Sequence, residues 1–257
     1  MGNMSKRMAA AALRRCALGL GFAAMVAALL WSPPAGAQVV LCLGQSATII
    51  GDDTDQVIAG SPGDDVIVGL GGVDVINGGL GNDVICGGDG NDRLVGSFCN
   101  DRLSGESGID RLAGGDGIDF LTGDLGPDEL LGGEQHDELH GGQGNDLLRG
   151  GDAGDLIDGG ADRDIIRGSD GADEIYGGEG ADWIGAGTGG DRVFGGSDND
   201  TIQGRRGSDR LYGGGNDDRL FGGRGGDILN GGSGFDTCNG GPQTDLAYSC
   251  ALTPGIP

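Results

Sequence analysis

Aspartate recurs every nine residues along most of this chain, which is the strongest chemical signal in the sequence. Steps of nine from Gly51 give 22 consecutive nonapeptides ending at Tyr248, without insertion or deletion. Position 6 is aspartate in 21 of the 22 units, and Gln56 is the exception. Aligned carboxylates suit a hard cation. The candidate ligands are Asp65, Asp74, Asp83, Asp92, Asp101, Asp110, Asp119, Asp128, Asp137, Asp146, Asp155, Asp164, Asp173, Asp182, Asp191, Asp200, Asp209, Asp218, Asp227 and Asp236.

Calcium suits these side chains better than magnesium or zinc. Ca²⁺ takes about six to eight oxygen ligands in flexible geometry, whereas Mg²⁺ demands strict octahedral geometry and retains water. Zn²⁺ prefers Cys and His, and His136 and His140 stand nearly alone. No nucleophile is organised near these histidines, so we expect neither zinc binding nor catalysis. The predicted cofactor is several Ca²⁺ ions.

The other positions of the nonapeptide define the backbone that must hold the aspartates. Position 1 is glycine in 21 units, with Ala186 as the exception, and positions 2 and 4 are each glycine in 14 of 22. Glycine permits positive φ, so positions 1–6 predict a tight turn. Position 8 is Ile, Leu or Val in 20 units, and Cys238 and Ala247 complete the series. Positions 7–9 therefore predict a three-residue strand with one side chain inward.

A unit this small cannot bury its own aliphatic side chain, so neighbouring units must stack. Two units in each 18-residue coil predict an all-β parallel β-roll, a β-solenoid with two short parallel sheets and Ca²⁺ between stacked turns. Position-8 residues from the two sheets, such as Ile58 and Ile67, would meet in a thin core. Aspartates 18 residues apart, such as Asp65 and Asp83, would lie on one side of the rod, and the intervening series on the other.

Composition limits the classes of partner. The chain has 257 residues, 61 of them glycine, and a formal net charge of −24. This charge argues against binding of nucleic acid or anionic membranes. It is compatible with a disordered acidic chain or with a carboxylate array that binds cations, and the preserved register favours the array.

Residues 1–37 have the pattern of a secretory signal peptide. Basic residues precede the apolar run from Cys16 to Trp31, and Ala35-Gly36-Ala37 is a small-x-small cleavage pattern. A membrane anchor is the alternative, although the run is short for a span of about 20 residues. Cleavage after Ala37 predicts a secreted, extracellular protein with no transmembrane segment. The export route, general secretory or twin-arginine, stays open.

The remaining boundaries follow from the repeat frame. Residues 38–50 are expected to form an N-terminal cap, 51–248 the 22-unit roll, and 249–257 a C-terminal cap with a loose tail. Five cysteines follow the predicted cleavage site. A Cys238–Cys250 disulfide would clip the last units, and Cys42 with Cys86 could clip the first, which leaves Cys99 as the odd thiol.

Two stripes of large side chains recur on the outer strand positions. Tyr176, Phe194 and Tyr212 share position 9, and Leu147, Ile165 and Trp183 share position 7 of the other sheet. Cross-strand stacking that stiffens the sheet is the favoured interpretation. Docking of a cell-envelope, glycan or protein partner on the outer sheet faces is the alternative.

The phrase G-G-x-G-x-D-x-U-x resembles the calcium-binding nonapeptide of RTX (hemolysin-type) proteins, and the similarity covers Gly51 to about Cys250. The resemblance implies a small exported bacterial protein built only of repeats, with Ca²⁺ held by the position-6 aspartates and turn carbonyls. Eight units lack glycine at position 4, among them those with Gln135, Ala153 and Asp162. Those turns are expected to bind weakly, although Asp162 or Asp198 could add a ligand.

The sequence therefore predicts a secreted calcium-binding protein whose roll folds after export, with a structural, adhesive or cell-surface role. The alternative is a relative of a calcium-dependent extracellular enzyme or toxin that retains only the repeat domain. No enzyme activity is expected, because only about a dozen residues separate the predicted cleavage site from the repeats. The physiological partner and the number of occupied sites stay open.

Overall fold

The computed structural model describes residues 40–252. The predicted signal peptide lies outside the described residues, as does the end of the predicted C-terminal tail. None of the described residues forms a helix with the length and apolarity that a membrane span requires.

The described chain is a series of short strands, separated by turns. In chain order they are β1 (Leu41–Cys42), β2 (Gln45–Ser46), β3 (Ile49–Ile50), β4 (Val57–Ala59), β5 (Val66–Gly71), β6 (Val75–Leu80), β7 (Val84–Asp89), β8 (Arg93–Phe98), β9 (Arg102–Ser107), β10 (Arg111–Asp116), β11 (Phe120–Leu125), β12 (Glu129–Glu134), β13 (Glu138–Gln143), β14 (Leu147–Asp152), β15 (Leu156–Ala161), β16 (Ile165–Asp170), β17 (Glu174–Glu179), β18 (Trp183–Thr188), β19 (Arg192–Ser197), β20 (Thr201–Arg206), β21 (Arg210–Gly215), β22 (Arg219–Arg224), β23 (Ile228–Ser233), β24 (Thr237–Asn239), β25 (Leu246–Tyr248) and β26 (Ala251–Leu252).

The strands form two parallel sheets, as the 18-residue coil predicts. The odd sheet contains the odd-numbered strands from β3 to β25, and the even sheet contains the even-numbered strands from β4 to β26. Each strand pairs with the strand two places along the chain, so that Val84 lies opposite Arg102 and Ile85 opposite Leu103. The prediction of an all-β parallel β-roll is confirmed. Each sheet also gains a strand outside the predicted limits of the roll, at β3 and at β26.

The strands are longer than the sequence predicts. Most contain six residues, because pairing continues from positions 7–9 through position 3 of the next unit. In the pairing of β7 with β9, for example, Gly88 lies opposite Glu106 and Asp89 opposite Ser107. The prediction of a three-residue strand and a six-residue turn is therefore wrong. Positions 1–3, of which the first two are glycine-rich, keep strand hydrogen bonds despite the positive φ at position 2, and only positions 4–6 turn the chain.

The core is the thin aliphatic layer that position 8 predicts. Ile67, Ile85 and Leu103 from the odd sheet and Ile76 and Leu94 from the even sheet are fully buried in one cluster that continues to Cys238. Each coil adds only two such side chains. Burial of one aliphatic side chain contributes about 1.5–3 kcal/mol, so little apolar stabilisation is available per coil.

The two predicted disulfides are present. Cys42 bonds to Cys86 and Cys238 to Cys250, each with 5.7 Å between the Cα atoms. The first bond ties the antiparallel hairpin of β1 and β2 to β7, in a small cluster of buried residues outside the main core. No cysteine in residues 40–252 is free, so the prediction of Cys99 as an odd thiol is wrong.

Large outer side chains align as the 18-residue period predicts. The rings of Tyr176 and Phe194 stack with centroids 5.0 Å apart, and those of Phe194 and Tyr212 with centroids 4.9 Å apart. Cross-strand stacking, the favoured interpretation, is confirmed for this column. On the even sheet, Ile165 lies between Leu147 and Trp183 in register.

Candidate metal centre: two rows of buried aspartates

The position-6 aspartates form two rows, one at each turn edge of the roll, directly under the turns. From Asp74 to Asp236 these aspartates are at most 3% exposed, and Asp65 is 8% exposed. The turn at positions 4–6 ends where the strand at position 7 begins, which fixes each carboxylate beneath its own turn. The structure therefore brings the predicted residues from Asp74 to Asp236 into comparable environments, and Asp65 is the most exposed of the set.

From Asp74 to Asp245, one carboxylate oxygen of each aspartate links successive coils. The Oδ1 of Asp146 accepts a hydrogen bond from the backbone N–H of Asp128 at 2.8 Å, and Asp146 donates its own N–H to Asp164 Oδ1 at 2.8 Å. The same 18-residue link runs along both rows, with N–O distances of 2.7–3.0 Å. The aspartate at position 6 therefore stabilises the stacking of coils as well as carrying a negative charge.

The other carboxylate oxygen, Oδ2, is buried without a hydrogen-bond partner in nearly every unit. The residues concerned are Asp74, Asp83, Asp92, Asp101, Asp110, Asp119, Asp128, Asp137, Asp146, Asp155, Asp164, Asp173, Asp182, Asp191, Asp200, Asp209, Asp218, Asp227, Asp236 and Asp245. Asp65 differs, because its Oδ2 accepts the N–H of Ser61 at 2.6 Å. An unsatisfied buried polar atom costs about 1–3 kcal/mol, and more when it is charged. Twenty such atoms would destabilise the folded roll strongly unless a bound group, such as a cation, contacts them.

Burial raises the pKa of most of these carboxyl groups. Removal from water, reinforced by the charge of neighbouring aspartates, raises the pKa of Asp137 to about 8 and that of Asp200 to about 7. Burial raises the pKa of Asp146 to about 6, with a smaller contribution from the charge of Asp162. The ionised rows are therefore unfavourable unless positive charge lies close to them.

Glycine at position 1 leaves the space that Oδ2 occupies. A Cβ atom built on Gly132 would overlap Asp137 Oδ2 of the same unit and lie 2.7 Å from the carbonyl oxygen of Gly150 in the next coil. A side chain here would displace the carboxylate or separate the coils. The regularity of position 1 thus has a steric cause as well as a conformational one.

Positive φ at position 4 is required even where glycine is absent. Gln135, Ala153 and Asp162 adopt φ values of 78°, 76° and 77°. Six of the eight units without glycine, all except those with Thr54 and Gln243, therefore keep positive φ at the conformational cost that an L-residue has in this region. Asp162 and Asp198, which could have added ligands, are exposed.

Backbone carbonyls complete the supply of oxygen donors. A Cβ atom on Gly90 would overlap the carbonyl oxygen of Gly72, and one on Gly108 would overlap that of Gly90, so these carbonyls point along the stack at the next turn. The carbonyls of Gly72, Gly90 and Gly108 accept no backbone hydrogen bond from the described residues.

Side chains alone do not form a metal cage. In residues 40–252, no group of three or more His, Cys, Asp or Glu side chains converges on one point. An ion would thus be held by position-6 carboxylates together with turn carbonyls. This all-oxygen donor set, with buried carboxylate oxygens that lack partners, fits Ca²⁺ and does not fit Zn²⁺.

Two features were missed from the sequence. Asp245 fills position 6 of the last unit, where its Oδ1 accepts the N–H of Asp227 at 2.9 Å, and its place in the frame was sufficient to include it. Side-chain oxygens at position 5 also form a ladder. Asn82 Oδ1 accepts the N–H of Asn100 at 3.2 Å, and Asn100 Oδ1 that of Ile118 at 3.0 Å. Recurrent Asn and Asp at position 5 were the available signal.

The histidines lie outside the aspartate rows. The carboxylates of Asp158, at 3.8 Å, and Glu138, at 2.9 Å, lie beside the His140 ring and raise its pKa. His136 Nδ1 contacts the carbonyl oxygen of Gly154. Both contacts are accounted for by local hydrogen bonding.

Comparison with known proteins agrees with the repeat frame. The family model described as "RTX calcium-binding nonapeptide repeat (4 copies)" matches residues 50–85, 87–112, 113–148, 149–184, 185–220 and 212–247. No curated protein sequence matches the chain.

Proposed function

The chain belongs to the RTX calcium-binding nonapeptide repeat family, and we propose that it is a secreted protein whose β-roll folds when it meets extracellular calcium. Folding would couple to binding, because the ligands converge only when the coils stack. Binding free energy in such a system becomes folding free energy.

The observation that carries this proposal is the set of buried Oδ2 atoms without partners. At neutral pH, ionised position-6 carboxylates such as those of Asp137 and Asp146 oppose folding, since their pKa in the folded roll is raised. The core offers only two aliphatic side chains per coil in compensation. The metal-free roll should therefore be unstable.

Calcium bound between turns would supply the positive charge that the carboxylate rows need. The chain's residues have separate tasks in this arrangement. Position-6 Oδ1 atoms set the coil register through backbone N–H groups, position-6 Oδ2 atoms and turn carbonyls face the ion, and position-1 glycines leave room for the carboxylates.

Secretion is supported by two independent features. The N-terminal pattern that ends at Ala37 is typical of a cleaved signal peptide. The Cys42–Cys86 and Cys238–Cys250 disulfides suit an oxidising compartment. Low cytosolic calcium would keep the roll unfolded before export, which favours the general secretory route.

We propose a binding or structural role for the folded rod rather than a catalytic one. The family match spans almost all of the described residues and is a repeat model alone. Outer strand positions would provide the surface for adhesion or for contact with the cell envelope.

Circular dichroism of the exported protein tests the coupling of folding to calcium. We expect little β signal in chelator, a cooperative gain in millimolar calcium, and no equivalent gain in magnesium. The Arg210→Gln variant, which changes a side chain exposed on the outer face of the odd sheet, should titrate as the wild type does. An unchanged β spectrum in chelator would contradict the proposal.

A further inference from the structure

Four neighbouring strands of the even sheet carry no carboxylate, although the chain has 40 acidic residues. Strands β18, β20, β22 and β24 have the sequences WIGAGT, TIQGRR, RLFGGR and TCN. They contain four arginines, namely Arg205, Arg206, Arg219 and Arg224. This surface is therefore locally basic on a rod that is otherwise strongly acidic.

A hollow of about 330 Å³ lies at the N-terminal side of this basic surface. Its lining includes the guanidinium-bearing Arg167, Arg205 and Arg206 and the hydroxyl-bearing Ser169 and Thr188. Asp170 is the one carboxylate of the lining, and its Oδ1 accepts the hydroxyl hydrogen bond of Thr188 at 2.9 Å. The hollow thus offers several hydrogen-bond donors around one space.

Trp183 holds two of the three arginines. The guanidinium carbons of Arg167 and Arg205, from the strands on either side of β18, lie 5.5 and 5.6 Å from the indole centroid. A Cβ atom on Gly185 would lie 3.0 Å from both Trp183 Cη2 and Arg205 Nη2, so glycine makes room for this group. Within residues 40–252, neither arginine forms a salt bridge with an acidic side chain.

Arg205 also occupies a backbone position that suits glycine. It lies at position 2, which is glycine in 14 of 22 units, and its φ is 77°. A long charged side chain at positive φ costs stability, and such outliers are common where a side chain has a function. Cation–π contact with Trp183 keeps the charged group over the hollow without neutralising it.

We propose that this hollow is a binding site for a phosphomonoester group. Planar guanidinium groups recognise the oxygens of a phosphate in pairs, and three of them converge here with the hydroxyl of Ser169, whereas the hydroxyl of Thr188 already donates to Asp170. The indole is already covered by guanidinium groups, which disfavours a sugar stacked on Trp183. A long polyanion would meet the acidic remainder of the rod, whereas a small phosphate ester lies within about one Debye length, roughly 8–10 Å, of the arginines.

Tryptophan fluorescence reports directly on this site. The chain has two tryptophans, Trp31 and Trp183, and Trp31 lies in the predicted signal peptide, so Trp183 is the reporter in the exported protein. Titration with glucose 6-phosphate, under calcium conditions in which circular dichroism shows the β signal, should give a saturable change. Unmodified glucose should give none.

Three variants separate recognition from folding and from general charge. Arg205→Gly suits the positive φ and should fold, yet bind glucose 6-phosphate about tenfold more weakly through loss of charge-assisted hydrogen bonds. Asp170→Asn should bind a few-fold more tightly, since it removes the one carboxylate of the lining. Arg210→Gln on the odd sheet loses the same charge and should bind as the wild type does.

Absence of a saturable change in the wild-type protein would overturn the proposal. An equal loss of affinity in Arg210→Gln and Arg205→Gly would also overturn it, because general charge and not this hollow would then set the affinity.

Discussion

Substitution of Asp146 should have opposite effects on the metal-free and the calcium-loaded roll. Asp146 Oδ1 accepts the N–H of Asp128, whereas its Oδ2 is buried without a partner. Asp146→Asn keeps an acceptor for the Asp128 N–H and removes the charge. Asp146→Ala removes both. The pair therefore separates the structural task of the side chain from its electrostatic one.

The expected size follows from the raised pKa of Asp146, about 6 in the folded roll against its ordinary value of 3.8. At pH 7.5 that difference of about 2 units opposes folding of the metal-free roll by about 3 kcal/mol. Asp146→Asn should remove this cost. Asp146→Ala should also remove it, but leaves a buried N–H unsatisfied at about 1–3 kcal/mol. Asn should therefore stabilise the metal-free roll more than Ala.

Both effects are measurable by circular dichroism. In chelator, a stabilising osmolyte such as trimethylamine N-oxide should fold Asp146→Asn at a lower concentration than the wild type. In calcium titrations, both variants should need more calcium, by less than about tenfold, because only the coils next to the substitution lose affinity. Two results would refute the reasoning: a higher osmolyte requirement for Asn, or complete loss of calcium-induced folding in either variant.

Three further predictions concern the position-1 glycines, the units expected to bind calcium weakly, and the pH dependence of stability. Gly132→Ala should destabilise the calcium-loaded roll by about 1–3 kcal/mol in denaturant melts, since its Cβ would overlap Asp137 Oδ2. Gly63→Ala, whose Cβ would meet nothing closer than 3.9 Å, is the matched control, and equal losses would exclude the steric explanation. As calcium falls, hydrogen exchange should rise first in residues 132–167, where three of the four units lack glycine at position 4, and last in 60–95. Uniform loss of protection would show that position 4 does not set local affinity. Without calcium, the raised aspartate pKa values mean that the folded roll binds more protons than the unfolded chain. The stability of the metal-free roll is therefore lost as pH rises through about 6–8. The β signal in chelator should grow from pH 8 to pH 5, and a decrease would contradict this prediction.

The period of nine was sufficient to predict the coil, the two sheets, the core and the two aspartate rows. A fixed period determines which residues stack, so Ile67 and Ile85 had to share a core and Asp65 and Asp83 a side. The disulfide partners Cys42 and Cys86 were also predicted, although not the hairpin that packs over the odd sheet.

Strand length and the two tasks of the aspartate could not be predicted from the period. Glycine at positions 1 and 2 is typical of turns, yet the stacked coils keep these residues in strands. The division of each carboxylate between an Oδ1 that accepts a backbone N–H and an Oδ2 that accepts none depends on three-dimensional placement. The side-chain ladder through Asn82 and Asn100 was overlooked because position 5 varies along the chain.

Anomalous X-ray scattering from crystals of the calcium-loaded protein tests most directly whether the position-6 carboxylates hold calcium. We expect two rows of anomalous peaks, one along each turn edge of the roll, beside the Oδ2 atoms and spaced by about the 4.8 Å separation of stacked strands. Calcium-loaded crystals of a folded roll with no peaks beside the aspartate rows would contradict the account.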